Sequence, residues 1–348
     1  MEYIVTLAVD EDLDEIAVLE ADLINTGARA SRRYLEWKYR RNPFIASPLL
    51  FVVRYGDEIV GVRGMYGTTW NLGPGRDATV LPHADDLLIR EEHRNRGLFL
   101  LLHRAMVRAA REHGYAAILS LSGVVTTQEL SLACGYRPLG DLRALQRSGT
   151  SEPPRRRRIE GRVLRGLRRR GVFSPTFGRG VSVDGLCREI AAASRNPHIE
   201  ISASADVAEM SALARAVHPL GADRGEDYLR WRLANPDHVY RFVLWTDTAL
   251  RGFLVLSWDV MRPGRVTIAD VVSDDDTVFA ELLGALAEPS DIEYLLMSAT
   301  LTENQANTAH AAGFRAAPAA SDEQSRRFLY FAVDPSSMSL TGEDDPSL

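Results

Sequence analysis

Two clusters in the first half of the chain have the residue types and spacing to do chemistry. One is Arg94-Asn95-Arg96-Gly97-Leu98-Phe99. It follows the short apolar run Leu87-Leu88-Ile89 and opens a stretch with helical apolar spacing: Leu98, Leu101, Leu102, Ala105, Met106 and Ala109. The first N–H groups of a helix lack intrahelical partners, and the helix dipole adds positive character there. Two arginines and a glycine at that point predict an anion seat, suited to a pyrophosphate. The other cluster is His83, Asp85 and Asp86, just ahead of the same apolar run. A carboxylate or imidazole here could accept a proton from a reacting group. In extended backbone Asp85 and Asp86 point to opposite faces. A solvated turn before a strand accounts for the same residues equally well.

The elements that must position these residues can be read in order. Glu2 to Ala8 predicts a strand, and Asp10 caps a helix through about Ile24. Ser31 caps a second helix, stopped by Asn42-Pro43. Leu49 to Arg54 and Ile59 to Tyr66 flank Tyr55-Gly56-Asp57-Glu58, a hairpin signal. The apolar run and the helix from Leu98 to Gly114 follow, then Ala117 to Leu121 as a strand. Thr126-x-x-Glu129 has the form of a capping box opening a short helix to Cys134, and Tyr136 to Gln146 resumes as strand.

This order, with the loop Arg94 to Phe99 after a strand, resembles the GNAT superfamily of acyltransferases. Their acetyl-coenzyme A loop reads Arg/Gln-x-x-Gly-x-Gly/Ala. Arg94 and Gly97 match, while Phe99 stands where a small residue is usual. The resemblance implies an α/β fold of the α+β type, a mixed and mostly antiparallel sheet flanked by helices. It implies acetyl-coenzyme A or another acyl-coenzyme A as co-substrate, held by Arg94, Asn95, Arg96, Gly97, Leu98 and Phe99, with no metal. Backbone N–H groups around Leu88 and Ile89 would receive the thioester oxygen. Asp86 or Asp85 would be the base, with His83 as second choice. The family's tyrosine acid has no counterpart, because Ser131 occupies its position. Cys134 reads as a small packed residue, with an acyl-cysteine role as the rarer alternative. Tyr34 and Trp37 lie on the helix nearest the family's acceptor groove, so both core packing and substrate contact fit them.

The second half repeats the first. Tyr34-Leu35-Glu36-Trp37-Lys38 with Asn42-Pro43 returns as Tyr228-Leu229-Arg230-Trp231-Arg232 with Asn235-Pro236. Gly313-Phe314 answers Gly135-Tyr136, and Thr302-x-x-Gln305 repeats the capping pattern. Where the first copy has its basic turn, the second has Ser273-Asp274-Asp275-Asp276. Acids are comfortable at a helix start but repel a pyrophosphate. The expected organisation is therefore two tandem GNAT-like domains: 1–147 with the cofactor loop, an Arg-rich linker 148–197, a degenerate copy 198–334, and an acidic tail 335–348.

Composition narrows the function. The 348 residues are 45% apolar and 25% charged, a globular balance. A net charge of −6 disfavours a chain that binds nucleic acid as a whole. Arg155 to Arg170 holds nine arginines. With no aromatic residue among them to stack bases, a solvated connecting helix is expected there. Phe173 to Gly185 is expected to be a loop. Two cysteines, no apolar run of membrane length and an acidic start predict a cytoplasmic protein, monomer or homodimer. Lys38 is the only lysine, which reads as arginine-biased coding. The expected function is acyl transfer, in the first instance N-acetyl transfer to a small amine or amino sugar. The alternatives are an aminoacyl-tRNA-dependent tandem transferase and a non-catalytic acetyl-coenzyme A sensor or scaffold.

Overall fold

The computed structural model describes residues 2–24, 28–74, 77–147, 176–177, 181–194, 196–259, 265–286, 293–297, 301–316 and 325–333. The linker 148–154, the arginine block and the acidic tail lie outside them. The chain divides into two units. The first holds residues 1–142, 220–223 and 319–348; the second holds 143–219 and 224–318.

In the first unit the order is β1 (Tyr3–Leu7), α1 (Asp12–Ile24), α2 (Ala28–Leu35), a π turn (Glu36–Arg40), β2 (Leu49–Tyr55), β3 (Glu58–Asn71), β4 (Thr79–Ile89), α3 (Leu98–Glu112), β5 (Ala117–Ser120), α4 (Val125–Ala133) and the start of β6 (Arg137–Arg147), whose residues from 143 on belong to the second unit. The sheet is mixed: β1 to β4 are antiparallel neighbours, and β4 and β5 are parallel. β2 shows why the sheet is covered on both faces. Leu49, Phe51 and Val53 pack with the α3 residues Leu98, Leu102 and Met106. Leu50 and Val52 pack with Leu13, Ile16 and Leu19 of α1. Alternate residues of a strand point to opposite faces, so a run apolar at every position needs a layer on each side.

The second unit contains β7 (Thr176–Phe177), β8 (Val181–Ser182), α5 (Val183–Ala193), β9 (Ile199–Ser202), α6 (Val207–Val217), α7 (Glu226–Leu233), β11 (His238–Thr246), β12 (Leu250–Asp259), β13 (Arg265–Ser273), α8 (Asp276–Ala285), β14 (Glu293–Met297), α9 (Glu303–Ala311) and β15 (Arg315–Ala316). Its β12 alternates likewise: Phe253 and Val255 pack with Met210 and Ala214 of α6, and Leu254, Leu256 and Trp258 pack with Phe279, Leu282 and Leu283 of α8. No helix among the described residues is long and apolar enough to cross a membrane.

The structure departs from the expected organisation in several places. The last strand, β16 (Ser325–Ala332), pairs with β5 in the first unit, Leu329 opposite Ser120 and Ala332 opposite Ala117. The short β10 (Gly221–Ala222) pairs with Asn71 and Trp70 at the end of β3, also in the first unit. Both segments were expected in the second copy. β5 has no local partner to close its edge, and an unpaired buried strand leaves its N–H and C=O groups unsatisfied. Conversely, Ala144 to Arg147, the end of β6, belong to the second unit and pair there with β14. Ser31 is not at the start of its helix: α2 spans Ala28–Leu35, and Ser31 is buried within it. Thr126 lies inside α4, whose N-cap is Val124; the box forms only in the second copy, where the Thr302 hydroxyl accepts from Gln305 N–H. The stretch 173–185 is not all loop, since it includes β7, β8 and the start of α5.

Candidate active site

The turn Glu91 to Gly97 joins β4 to α3. Asn95 and Gly97 both adopt left-handed backbone, with φ of 60° and 76°. Gly97 is the N-cap, offers no side chain to the first-turn amides, and has no atom within 4 Å of where a Cβ would stand. The first turn of α3 holds no acidic residue. Arg94 and Arg96 are exposed on the turn, and Arg94 Nε donates to the Ile89 carbonyl at 3.2 Å. Uncapped amides, the helix dipole and two exposed cations thus meet at one turn.

The second copy has filled the matching place with its own groups. Asp275 caps α8, accepting from Thr277 N–H at 2.7 Å and Val278 N–H at 2.9 Å. Arg251 pairs with Asp274 at 2.8 Å and Asp275 at 2.6 Å, and lies 5.2 Å over the Trp245 ring. These amide bonds hold the Asp275 carboxyl below the usual range, with Arg251 adding to the effect.

On the other side of β4 is a cluster the sequence did not announce. Lys38 is buried, and its ammonium donates to Asp85 at 2.8 Å, Asp86 at 2.9 Å and the Tyr34 hydroxyl at 2.7 Å. The Tyr39 hydroxyl donates to the same Asp86 oxygen at 2.7 Å. The Tyr34 and Tyr66 rings stand 4.9 and 5.3 Å from the ammonium. The π turn makes this possible. Its i→i+5 bond, Arg41 N–H to Glu36 C=O at 3.0 Å, buries Trp37, Lys38 and Tyr39 in succession, which a regular amphipathic helix cannot do. Gly64 admits the Tyr39 ring: a Cβ there would stand 2.2 Å from it.

Asp86 takes a left-handed φ of 50°, rare for a non-glycine residue and typical of functional strain. Burial would push Lys38 down, but Asp85 and Asp86 outweigh it and hold the ammonium well above its ordinary value. Asp86 is nevertheless pushed up, first by burial and then by Asp85, against the pull of Lys38. For a simple ion pair these directions conflict. They are compatible here because one ammonium is shared by two carboxylates. The trio carries a net negative charge when both carboxylates are ionised, and Asp85 is its exposed member at 52%.

His83 is buried beside this cluster. It stacks on Tyr66 at 5.0 Å, and its Nε2 meets the Thr68 hydroxyl at 2.7 Å. Burial holds it down to about 4, so it is neutral at physiological pH. Trp37 is buried against Tyr34 at 5.6 Å, and Tyr34, the other expected acceptor-groove residue, bonds the Lys38 ammonium. Leu88 and Ile89 pair with Val62 and Gly61 across a bulge between Val62 and Gly64. β4 pairs with β5 only at His83–Leu119 and Ala84–Ser120, so the two strands part before Leu88. Ser131 is buried and its hydroxyl donates to the Thr127 carbonyl at 2.8 Å, so it is committed within its helix. Burial raises the Cys134 thiol, which works against a thiolate nucleophile.

The trio makes a testable demand on stability. Lys38 is raised in the folded state, so its contribution is complete below its unfolded value of 10.5 and is lost as pH rises through the higher folded value. Lys38→Met leaves two carboxylates without their cation and should cost about 3 kcal/mol at neutral pH. In chemical denaturation the wild-type advantage over this variant should hold steady to about pH 10 and shrink above it. An advantage that does not change there would mean that folding does not raise the Lys38 ammonium above its unfolded value.

No protein-family model matches the chain, and no curated protein sequence matches it. Solved structures do. A GCN5-related N-acetyltransferase from Kribbella flavida aligns over 96% of this chain and 72% of its own, with a TM-score of 0.55 and 15% identity. A probable N-acyltransferase from Enterococcus faecalis aligns over 96% and 73%, with a TM-score of 0.63 and 10% identity. A tandem GNAT protein from the clavulanic acid biosynthesis pathway aligns over 96% and 99%, with a TM-score of 0.56 and 16% identity. At these identities the likeness is one of fold.

Proposed function

Because the chain folds as a tandem pair of GNAT-type domains, we propose that its first half is an acyl-coenzyme A-dependent N-acyltransferase, with acetyl-coenzyme A as reference donor. The observation that carries this reading is the asymmetry of the two turns. The one at Gly97 is open and cationic, while its counterpart is closed by Asp275 and Arg251. Arg94 to Phe99 would hold the pyrophosphate. The backbone at Leu88 and Ile89, beyond the last β4–β5 rung, would face the thioester oxygen.

The Lys38–Asp85–Asp86 trio suits a cationic acceptor. Its net negative charge and flanking tyrosines attract an ammonium group, such as that of a small amine or amino sugar. Asp86 takes the ammonium proton. The neutral amine attacks the thioester carbon, a C–N bond forms, the C–S bond breaks with its electron pair left on sulfur, and the nitrogen gives its second proton to solvent. Ser131 has no free proton to give the departing sulfur, so the thiolate leaves unprotonated by that helix.

The test is thermal-shift stabilisation by acetyl-coenzyme A, followed by a thiol-release screen of amines and amino sugars. Stabilisation with amine-dependent thiol release is expected. Stabilisation with no release from any amine would favour the non-catalytic sensor, and absence of stabilisation would sink both readings.

A further inference from the structure

Arg63 is a buried cation that this mechanism has not used. It sits in the β3–β4 bulge, between Val62 opposite Leu88 and Gly64 opposite Asp85. It is 1% exposed, and its Nε and Nη1 have no hydrogen-bond partner among the described residues. It forms no ion pair there. The Phe99 ring covers the guanidinium at 4.6 Å, so the residue that departs from the family's small loop position is the one packed on Arg63. Beyond it lie His103, stacked on Phe99 at 6.4 Å, and Tyr136, 5.6 Å from His103. Burial first, and then Arg63, hold His103 down to about 4; burial raises Tyr136 to about 12. Both are neutral, and their buried Nδ1 and hydroxyl are unpartnered among the described residues. Among the described residues no carboxylate pairs with this charge at contact distance; burial pushes the guanidinium down, and Asp85 acts on it only through its field.

A charge taken out of water with no counter-charge is costly, and interiors normally pair their arginines. This one lies on β3, opposite the part of β4 between Asp85 and Leu88 that follows the last β4–β5 rung at Ala84–Ser120, and its guanidinium packs on Phe99, two residues past Gly97; the turn at Gly97 and the backbone at Leu88 are the two ends of the proposed cofactor seat. Along an extended thioester arm the sulfur lies between those two ends. A fixed charge in such a dry place acts strongly on a charge that appears only during reaction, without needing contact in the free protein. The position that supplies an acid in the family holds only Ser131, committed to Thr127.

We infer that Arg63 is the group that stabilises the departing coenzyme A thiolate, in place of a proton donor. This rests on the acyl-coenzyme A reading above. When the C–S bond breaks, its electron pair stays on sulfur, opposite the guanidinium; the thiolate takes its proton from solvent after release.

The test joins kinetics to a titration. Arg63→Met should lower kcat with acetyl-coenzyme A on the order of 100-fold and leave KM nearly unchanged. Arg63→Lys, which keeps the charge, should recover part of the loss. The ultraviolet absorbance of bound coenzyme A thiolate, referenced to bound desulfo-coenzyme A, should titrate lower in the wild type than free in solution and return upward in Arg63→Met. Removing an unbalanced buried charge should leave the Tm of Arg63→Met equal or higher, which separates this role from a structural one. Identical thiolate titrations in wild type and Arg63→Met, or an unchanged kcat, would overturn the assignment. A wild type that does not bind coenzyme A at all would instead bring down the underlying reading, and this one with it.

Discussion

Gly97→Glu is expected to weaken acetyl-coenzyme A binding by at least about 100-fold, the scale set by an unpaired charge facing a charged ligand. Packing is not the cause, since no atom lies within 4 Å of the new Cβ. Backbone strain is a small part: φ is 76°, and a side chain there costs roughly 1–2 kcal/mol. The larger effect is electrostatic. A carboxylate at the N-cap would bond the free amides of α3 itself, as Asp275 does for α8, and would repel the pyrophosphate between Arg94 and Arg96. Gly97→Ala carries the strain without the charge, so calorimetry on the two variants separates the causes. Gly97→Glu binding as tightly as the wild type would refute the seat.

Asp86→Asn should lower kcat by about 10²–10⁴-fold, the usual range for loss of a positioned base, and leave acetyl-coenzyme A binding unchanged. Asp86 is pushed up by burial and by Asp85. As pH falls through that raised value the carboxylate takes a proton and can no longer accept one from the acceptor. The wild-type rate should therefore fall on the acid side, and the Asn variant should lack that limb. Asp85→Asn should matter less to the chemistry, since Asp85 is half exposed and meets Lys38 from the solvent side. If the double Asn variant keeps full turnover across neutral pH, neither residue is the base.

How much of this was legible in the sequence depends on how local each signal is. The strand–turn–helix at Gly97 was legible because an apolar run, a glycine and a 3.6-residue period are neighbours in the chain. The hairpin at Gly56 was legible for the same reason; Tyr55 pairs with Glu58 across it. The tandem repeat was visible because its landmarks recur in order. Lys38 was missed. Its rarity looked like coding bias, and the π turn breaks the very periodicity that would have placed it. The one usable signal was that solitary lysine, set among the aromatic residues Tyr34, Trp37 and Tyr39. Thr126 failed as a cap because Gln128 instead donates to the Ser122 carbonyl and α4 starts at Val125; a register shift that small leaves no sequence mark. The destination of β16 could not be read at all. Its partner β5 is distant in sequence, and an apolar strand does not say which open edge it will close.

The most direct measurement is the calorimetric stoichiometry of acetyl-coenzyme A on the full chain. One molecule bound per chain is the predicted result, because Gly97 leaves its helix amides free while Asp275 and Arg251 occupy the other turn. Two molecules per chain, or none, would contradict it.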